Sequence, residues 1–392
     1  MKPLPVYPLY DITPVRAGGS FVYAADGERY LDFYGGHAVI SIGHGHPHYR
    51  ARIAEQLDRI GFYSNSVRNP LQEELARKLG EVAGTRDAYD LFLCSSGAEA
   101  NENALKMASF ARPGTDTVLV LDGSFHGRTS AAVALTDNPK IQAGINRGVR
   151  AARFSGSDTA GIVARIERGD LTAVLLEVVQ GVGGLSVLPD TTLQAVERAC
   201  AKTGTPLIAD EVQSGYGRTG KFFAYQHSGI TPDLVSVAKG MGNGFPVGGV
   251  LVRNGRFEVR HGMLGTTYGG NHLACAAGLG VLEVLERERL VEGVAAKSAR
   301  LRGVLERLPH LRRVKGLGLM IGAEFEFPVA ALREHLAYEQ RLMTGSSQDP
   351  HVLRLLPPLT ITESEMDLFA EKICAGVDAF LAAHPEVLPA HA

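Results

Sequence analysis

Short apolar runs without polar alternation recur between residues 91 and 252, and longer amphipathic stretches separate them. Such runs are typical of strands buried on both faces of a sheet, and strands that alternate with helices build a parallel sheet. The predicted strands are Leu91–Cys94, Thr117–Leu121, Ala173–Val179, Leu207–Ala209, Leu234–Ala238 and Gly249–Val252; the predicted helices are Ala98–Ala111, Thr159–Arg168 and Thr192–Thr203. The pattern predicts an α/β fold that binds ligands beyond the carboxyl ends of its strands.

The pattern changes after Asn271, and the C-terminal part of the chain reads as a separate unit. It predicts one long helix from Leu273 to about Leu308, strands over Gly316–Gly322 and Val352–Leu356, and a last helix opened by the capping box of Thr362 and Glu365. Hairpin-like segments, Phe21–Ala24 and Tyr30–Phe33, lie near the N-terminus. We predict a large domain over residues 51–275 and a small C-terminal domain over residues 276–392, which the N-terminal segment 1–50 joins.

The amino-acid composition argues against some classes of binding partner. The chain has 40 Lys and Arg against 42 Asp and Glu, without a polybasic run, which argues against nucleic acid or an anionic membrane as partner. Its start lacks the apolar stretch of a signal peptide, and we expect no membrane span. Four scattered cysteines suit reduced thiols. We expect a cytoplasmic protein.

Two strand ends carry residues suited to cofactor chemistry. Lys239 follows an apolar run, and a desolvated lysine is partly a neutral amine, which forms a Schiff base with an aldehyde. Asp210 ends another apolar run, and a carboxylate there can keep a pyridine nitrogen protonated. The pair suits pyridoxal phosphate, although a lone lysine or aspartate after a strand is ordinarily a solvated or capping residue.

Two further loops follow predicted strands. Ser95-Ser96-Gly97-Ala98-Glu99 opens a helix, where free backbone N–H groups can cradle a phosphate; an ordinary capped turn is the alternative. In Ser124-Phe125-His126-Gly127-Arg128-Thr129, the Phe125 ring could stack on a planar ring and Arg128 could bind a carboxylate; the alternative is a surface loop.

Two other motifs are weaker. Gly215-Tyr216-Gly217-Arg218-Thr219-Gly220 fits the dinucleotide pattern G-x-G-x-x-G, but it does not open a helix directly after a strand, so we discount NAD. His44, His46 and His48 alternate as metal ligands do, yet Gly45 and Pro47 indicate a bent structural loop. We expect no metal.

Taken in order, the motifs resemble those of the class III pyridoxal-phosphate-dependent aminotransferases of fold type I, and within them the enzymes that act on acetylornithine and succinylornithine. The resemblance covers nearly the whole chain through Gly43–Pro47, Ser96–Glu102, Phe125–Thr129, Asp210–Gly220, Pro232-Asp233, Ala238–Gly240, Gly265–Asn271 and Arg354–Leu359. It implies a large domain with a mostly parallel seven-stranded sheet and a smaller α+β domain formed from both termini.

The resemblance also implies roles for individual residues. Lys239 would hold the cofactor and move the proton, and Asp210 would pair with the ring nitrogen. Ser96, Gly97 and Ala98 would bind the phosphate, Phe125 would stack on the ring, Gln213 would approach the ring hydroxyl, and Thr267 would reach the phosphate of the partner subunit. Arg128, Thr266 and Arg354 would bind substrate. The active sites of a homodimer would then be shared.

The implied reaction moves the terminal amino group of an N2-acyl-L-ornithine to 2-oxoglutarate, a step of arginine biosynthesis. Alternatives are another ω-aminotransferase, acting on ornithine, 4-aminobutyrate or N-acyl-lysine, and a pyridoxal-phosphate aminomutase, which needs no 2-oxoglutarate. A dinucleotide-dependent oxidoreductase is more distant.

One position departs from the family pattern. Relatives commonly carry a second glutamate where this chain has Val182, and that glutamate can pair with the arginine matching Arg354. We therefore hypothesise that Arg354 stays exposed to anionic groups throughout the cycle, which leaves room for an acidic acyl group such as succinyl. Local repacking is the alternative explanation.

Overall fold

The computed structural model describes residues 1–388, and a seven-stranded sheet forms its centre. Only Gly248–Arg253 runs antiparallel to its neighbours, so the predicted mostly parallel α/β sheet is confirmed. In the register of that strand, Val250 lies between Phe92 and Ser236. The spatial order of the strands is Tyr89–Cys94, Gly248–Arg253, Leu234–Val237, Leu207–Asp210, Ala173–Leu176, Thr117–Leu121 and Arg150–Phe154.

Both faces of the sheet are covered. Along one strand, Val118 and Val120 pack into one apolar cluster while Leu119 and Leu121 pack into another on the opposite face. This is why the strand reads as a continuous apolar run.

The α-helices cover the sheet and build the periphery, and none of them within residues 1–388 combines the length and apolar character that crossing a membrane requires. Their bounds are Gly35–Ala38, Pro47–Arg59, Pro70–Ala83, Gly97–Ala111, Ser130–Leu135, Thr159–Glu167, Asp190–Thr203, His272–Arg287, Leu290–Leu305, Ala330–Tyr338 and Glu363–Ala383.

Two smaller sheets flank the central one. The first combines three N-terminal strands with a C-terminal one, in the order Pro14–Gly18, Phe21–Ala24, Arg29–Asp32 and Leu342–Met343. The second contains Leu311–Leu317, Met320–Phe325 and Val352–Leu355. The rings of Phe33 and Phe369 stack at 4.0 Å, so the N-terminal segment packs on the last helix. The domain limits themselves stay a prediction, and residues 389–392 of the last domain lie outside the described residues.

The structure corrects two predicted elements. The long helix expected from Leu273 to about Leu308 is two helices, because Arg289 takes a left-handed φ of 50° between them. The strand expected over Gly316–Gly322 is instead a hairpin that turns at Gly318 (φ 58°). A Cβ at Gly318 would lie 2.5 Å from the backbone of Thr219, so only glycine fits this turn.

The Phe33–Phe369 contact yields a test of how the termini are held. Phe369 is fully buried, so Phe369→Ala should lower the free energy of unfolding by about 3–5 kcal/mol through lost burial and a cavity. Denaturant unfolding followed by circular dichroism measures the change. Phe110→Ala is the control, because Phe110 is 46% exposed and its removal should change stability by about 0.5 kcal/mol or less. Equal losses in the two variants would contradict the packing described.

Candidate active site

Residues from six strand ends meet at one edge of the central sheet. The parallel strands present their carboxyl ends there, and the antiparallel strand Gly248–Arg253 begins at the same edge. A cavity of about 370 Å³ opens at this edge. Its lining includes Ser96, Gly97, Ala98, Phe125, Arg128, Asp210, Gln213 and Lys239, which are eight of the predicted site residues.

Asp210 is the most fully bonded of these side chains. Its Oδ2 accepts hydrogen bonds from Asn101 Nδ2 and from His126 Nδ1, each at 2.8 Å, and its Oδ1 accepts one from the Val212 amide at 3.1 Å. The other hydrogen of Asn101 Nδ2 is donated to the His126 carbonyl at 2.8 Å. Since a buried carboxylate is costly unless it is hydrogen-bonded, this network fixes both the position and the negative charge of Asp210.

Lys239 lies on the wall of the same cavity and departs from ordinary backbone geometry. Its φ of 46° is in the left-handed region, where a residue with a Cβ is strained by about 1–3 kcal/mol. Burial, together with the charge of Arg354, lowers the pKa of Lys239 to about 8, while Asp210 and Glu177 act in the opposite direction. About one tenth of the amine is therefore neutral, and nucleophilic, at pH 7, far more than for an ordinary lysine.

The helix Gly97–Ala111 starts at the cavity wall. Its N-cap is Ser96, whose hydroxyl accepts the Glu99 amide, so the preceding N–H groups of Gly97 and Ala98 stay outside the intrahelical ladder. A Cβ on Gly97 would lie 2.6 Å from Val212, so glycine lets this helix start approach the loop after Asp210. Free N–H groups at a helix start suit a phosphate.

Gln213 and Phe125 supply the remaining wall. Gln213 donates from Nε2 to the His37 carbonyl at 3.0 Å, which directs its Oε1 as a buried acceptor without a partner among the described residues. Phe125 is half-buried, and the guanidinium of Arg128 lies 6.0 Å from its ring centre. Phe125 thus offers a flat apolar surface, Gln213 a hydrogen-bond acceptor and Arg128 a cation.

Three residues of the site received no role from the sequence. Glu177 is buried in the cavity wall and accepts the amides of Phe125 (2.9 Å) and Gly181 (2.8 Å). Burial, reinforced by the charge of Asp210, raises its pKa to about 7 against the opposing effect of His126. Asn101 and His126 complete the Asp210 network. Glu177 was missed because the predicted strand Ala173–Val179 includes it, whereas the observed strand ends at Leu176 and Glu177 directly follows it.

Thr266 and Thr267 lie outside this cavity. They line a second cavity of about 280 Å³ with Ser95 and Glu99, on the other side of the start of helix Gly97–Ala111. Thr266 Oγ1 accepts the Gly269 amide, and Thr267 is exposed. Their predicted roles stay predictions.

Arg354 is buried, whereas our hypothesis expected it to be exposed to anionic groups. Its side chain is only 2% exposed rather than open to anionic groups. Its Nη1 donates to the Gly181 carbonyl at 2.8 Å and its Nε donates to the Ser346 carbonyl. Backbone carbonyls therefore hold the guanidinium, and Val182 directly follows one of the two residues that provide them.

The weaker motifs form ordinary structure. His44, His46 and His48 bond to three different carboxylates, those of Asp32, Glu288 and Glu283, and residues 1–388 contain no cluster of three or more potential metal ligands. The segment 215–220 forms turns and leads to the short 3₁₀ helix Ala224–His227, not to a crossover helix.

The residues fit pyridoxal phosphate at each of its ends. The helix start suits the phosphate, Asp210 suits a protonated ring nitrogen, and Lys239 suits an aldehyde. The unpartnered Oε1 of Gln213 is an acceptor for a ring hydroxyl.

Comparison with known proteins agrees with this fit. The family model described as "Aminotransferase class-III" matches residues 6–377. The chain is 41% identical to the acetylornithine aminotransferase of Bacillus subtilis (strain 168), covering 92% of this chain and 93% of that one. It is 39% identical to the acetylornithine aminotransferase of Rhodobacter capsulatus, covering 93% and 94%. The solved ornithine aminotransferase of Toxoplasma gondii superposes with a TM-score of 0.90 at 25% identity, covering 97% and 92%.

The chain belongs to the class III aminotransferases. The predicted family, reaction class and cofactor, pyridoxal phosphate, are confirmed by this membership.

The lowered pKa of Lys239 predicts how the cofactor-free protein reacts with aldehydes. Because the neutral amine is the reactive form, labelling of Lys239 by pyridoxal and borohydride should rise with pH to half its plateau at about 8. Peptide mass spectrometry at each pH separates this lysine from the N-terminal amine, and Lys239→Arg serves as the control. A midpoint near the ordinary lysine value of 10.5 would contradict the environment described.

Proposed function

We propose that this enzyme transfers the terminal amino group of an N2-acyl-L-ornithine, with acetyl as the acyl group, to 2-oxoglutarate, giving the N-acyl-glutamate 5-semialdehyde and L-glutamate. The observation that carries the proposal is the convergence of Lys239, the Asp210 network and a phosphate-binding helix start on one cavity. The names of the relatives from Bacillus subtilis and Rhodobacter capsulatus support acetylornithine as the donor. We further propose a cytoplasmic step of arginine biosynthesis.

Lys239 has two tasks in this proposal. Pyridoxal phosphate, when bound, supplies an aldehyde that joins to amines and a ring that takes up electrons. Lys239 Nζ, once free, would remove the proton from the amine-bearing carbon of the donor and hold it for return. A pKa of about 8 suits this double task, because the amine gains and loses a proton readily near neutral pH.

The other residues of the site position the cofactor or select the substrate. Asp210 holds a positive charge at the ring nitrogen; Ser96, Gly97 and Ala98 hold the phosphate; Phe125 covers one ring face; and Gln213 accepts from the ring hydroxyl. Arg128, exposed at the cavity wall, binds the α-carboxylate of the donor. Arg354 binds a carboxylate of 2-oxoglutarate. Thr266, which lies outside the cavity of its own subunit, lies beside the substrate of the partner subunit. These assignments rest on the fit of each side chain to its partner.

A panel of amino donors tests the proposal. Purified enzyme with pyridoxal phosphate and 2-oxoglutarate should release glutamate fastest from acetylornithine, and the panel should include succinylornithine, ornithine, 4-aminobutyrate and acetyl-lysine. Ornithine is the main competitor, because the chain superposes on an ornithine aminotransferase. A clear preference in kcat/KM for another donor would reject the acyl-ornithine assignment. Turnover without consumption of 2-oxoglutarate would indicate an aminomutase.

We also propose a homodimer in which Thr267 reaches the phosphate of the partner subunit. An exposed apolar patch supports this, since Phe62, Tyr63 and Tyr268 are 44%, 57% and 64% exposed and lie beside Thr267. Asn65 bonds to the Gly269 carbonyl at 3.0 Å and ties the two segments of the patch together. An apolar patch of this kind is typical of a protein interface.

Mixing inactive variants tests the shared site. If Thr267 serves the partner, dimers of Lys239→Ala with Thr267→Ala contain one intact site, and random exchange should restore about one quarter of the wild-type sites. Activity is measured after unfolding and refolding the two variants together. A mixture of Lys239→Ala with Asp210→Ala is the control and should stay inactive, because both residues belong to the same subunit's site. Absence of restoration with Thr267→Ala would reject the shared arrangement.

A further inference from the structure

We infer that Glu177 is a positioning residue that couples the cofactor-stacking loop to the arginine Arg354 through Gly181. The inference deepens the proposed function, on which it rests for the role of Arg354. It concerns a residue whose hydrogen-bond partners are backbone amides and include neither Lys239 nor Asp210.

The coupling begins with two hydrogen bonds that diverge from one carboxylate. Glu177 Oε1 accepts the amide of Phe125 at 2.9 Å, and Oε2 accepts the amide of Gly181 at 2.8 Å. Phe125 follows one strand of the sheet and Gly181 lies beyond the end of the neighbouring one. The carboxylate therefore joins the loop that carries the stacking ring to the loop that carries Gly181.

Gly181 extends the coupling to Arg354. Its carbonyl accepts Arg354 Nη1 at 2.8 Å, so amide and carbonyl of one residue connect the carboxylate to the guanidinium. A Cβ at Gly181 would lie 2.1 Å from Gln213 Oε1, so the Gln213 side chain packs directly against this residue. The Glu177 carboxylate thus fixes the carbonyl that holds the arginine.

The charges around Glu177 make the coupling sensitive to protonation of the Glu177 carboxylate. Asp210 and burial oppose the charge of Glu177, whereas His126, Lys239 and Arg354 favour it. Their balance raises the pKa of Glu177 to about 7. A protonated oxygen is a poorer acceptor, so we expect the hold on Gly181 to weaken as the pH falls through about 7.

Glu177→Gln tests the coupling, because an amide can accept only one of the two N–H groups. Loss of one bond to a charged acceptor should raise the KM for 2-oxoglutarate about tenfold with a smaller change in kcat. The assay follows the single half-reaction of enzyme loaded with pyridoxamine phosphate, in which the half-saturating concentration of 2-oxoglutarate takes the place of KM and the limiting rate that of kcat, so the result does not depend on which amino donor is correct. The variant should also lose the inflection of this KM near pH 7.

A double-mutant cycle separates coupling from general damage. If Glu177 acts through Arg354, then Glu177→Gln should add nothing to the KM of Arg354→Gln, whereas independent effects would multiply. Multiplied effects would overturn the inference.

Cofactor affinity gives a readout independent of turnover. Equilibrium binding of pyridoxal phosphate, followed by absorbance, should weaken several-fold in Glu177→Gln through Phe125. Unchanged affinity in Glu177→Gln would overturn the inference. If the wild type failed to react with 2-oxoglutarate, the proposed function would be rejected. The measurement of cofactor affinity would still decide whether Glu177 positions Phe125.

Glu211→Gln is the matched control. Glu211 is also a buried carboxylate that accepts two backbone amides, those of Ala224 and Tyr225, and burial raises its pKa to about 7 as well. It does not line the cavity. Its variant should leave the KM for 2-oxoglutarate and the cofactor affinity unchanged, and equal effects in the two variants would overturn the inference.

Discussion

The hydrogen-bonded carboxylate of Asp210 is the interaction on which the rest of the site depends. A buried negative charge is tolerated only where donors surround it. Three donors surround the Asp210 carboxylate. Asn101 comes from a helix, His126 comes from the loop after another strand, and the Val212 amide comes from the turn that follows Asp210 itself. These donors follow three different strands of the sheet, so stabilising one charge requires that the segments after those three strands meet.

The same confined space sets the protonation of its neighbours. Glu177, beside Asp210, has its pKa raised to about 7, while burial and Arg354 lower that of Lys239 to about 8. The ordinary pKa values of a glutamate and a lysine lie far apart, and burial brings both of them close to neutral pH. Proton transfer is most effective in that range, so the burial that lowers the pKa of Lys239 suits the role that we propose for it.

Lys239 and Asp210 were predictable because their signal is local: an apolar run followed directly by a polar residue, with strand carboxyl ends meeting at one edge. Asn101 and His126 were not, because they meet Asp210 from 109 and 84 residues away, and no local pattern specifies such contacts. The break at Arg289 was missed because apolar spacing continues across it. The burial of Arg354 depends on the Gly181 and Ser346 carbonyls, which only the folded chain brings together.

Val182 acquires a physical meaning from the way Arg354 is held. A glutamate partner would form an ion pair with the guanidinium, whereas the carbonyl oxygens that accept its Nε and Nη1 hydrogens are neutral. The charge of Arg354 already lowers the pKa of Lys239, so its field reaches the reacting lysine. If Arg354 binds a substrate carboxylate as we propose, the incoming anion displaces neutral acceptors and need not break an ion pair. The arginine can thus be buried and still attract anions, which reconciles its low exposure with a role in binding 2-oxoglutarate.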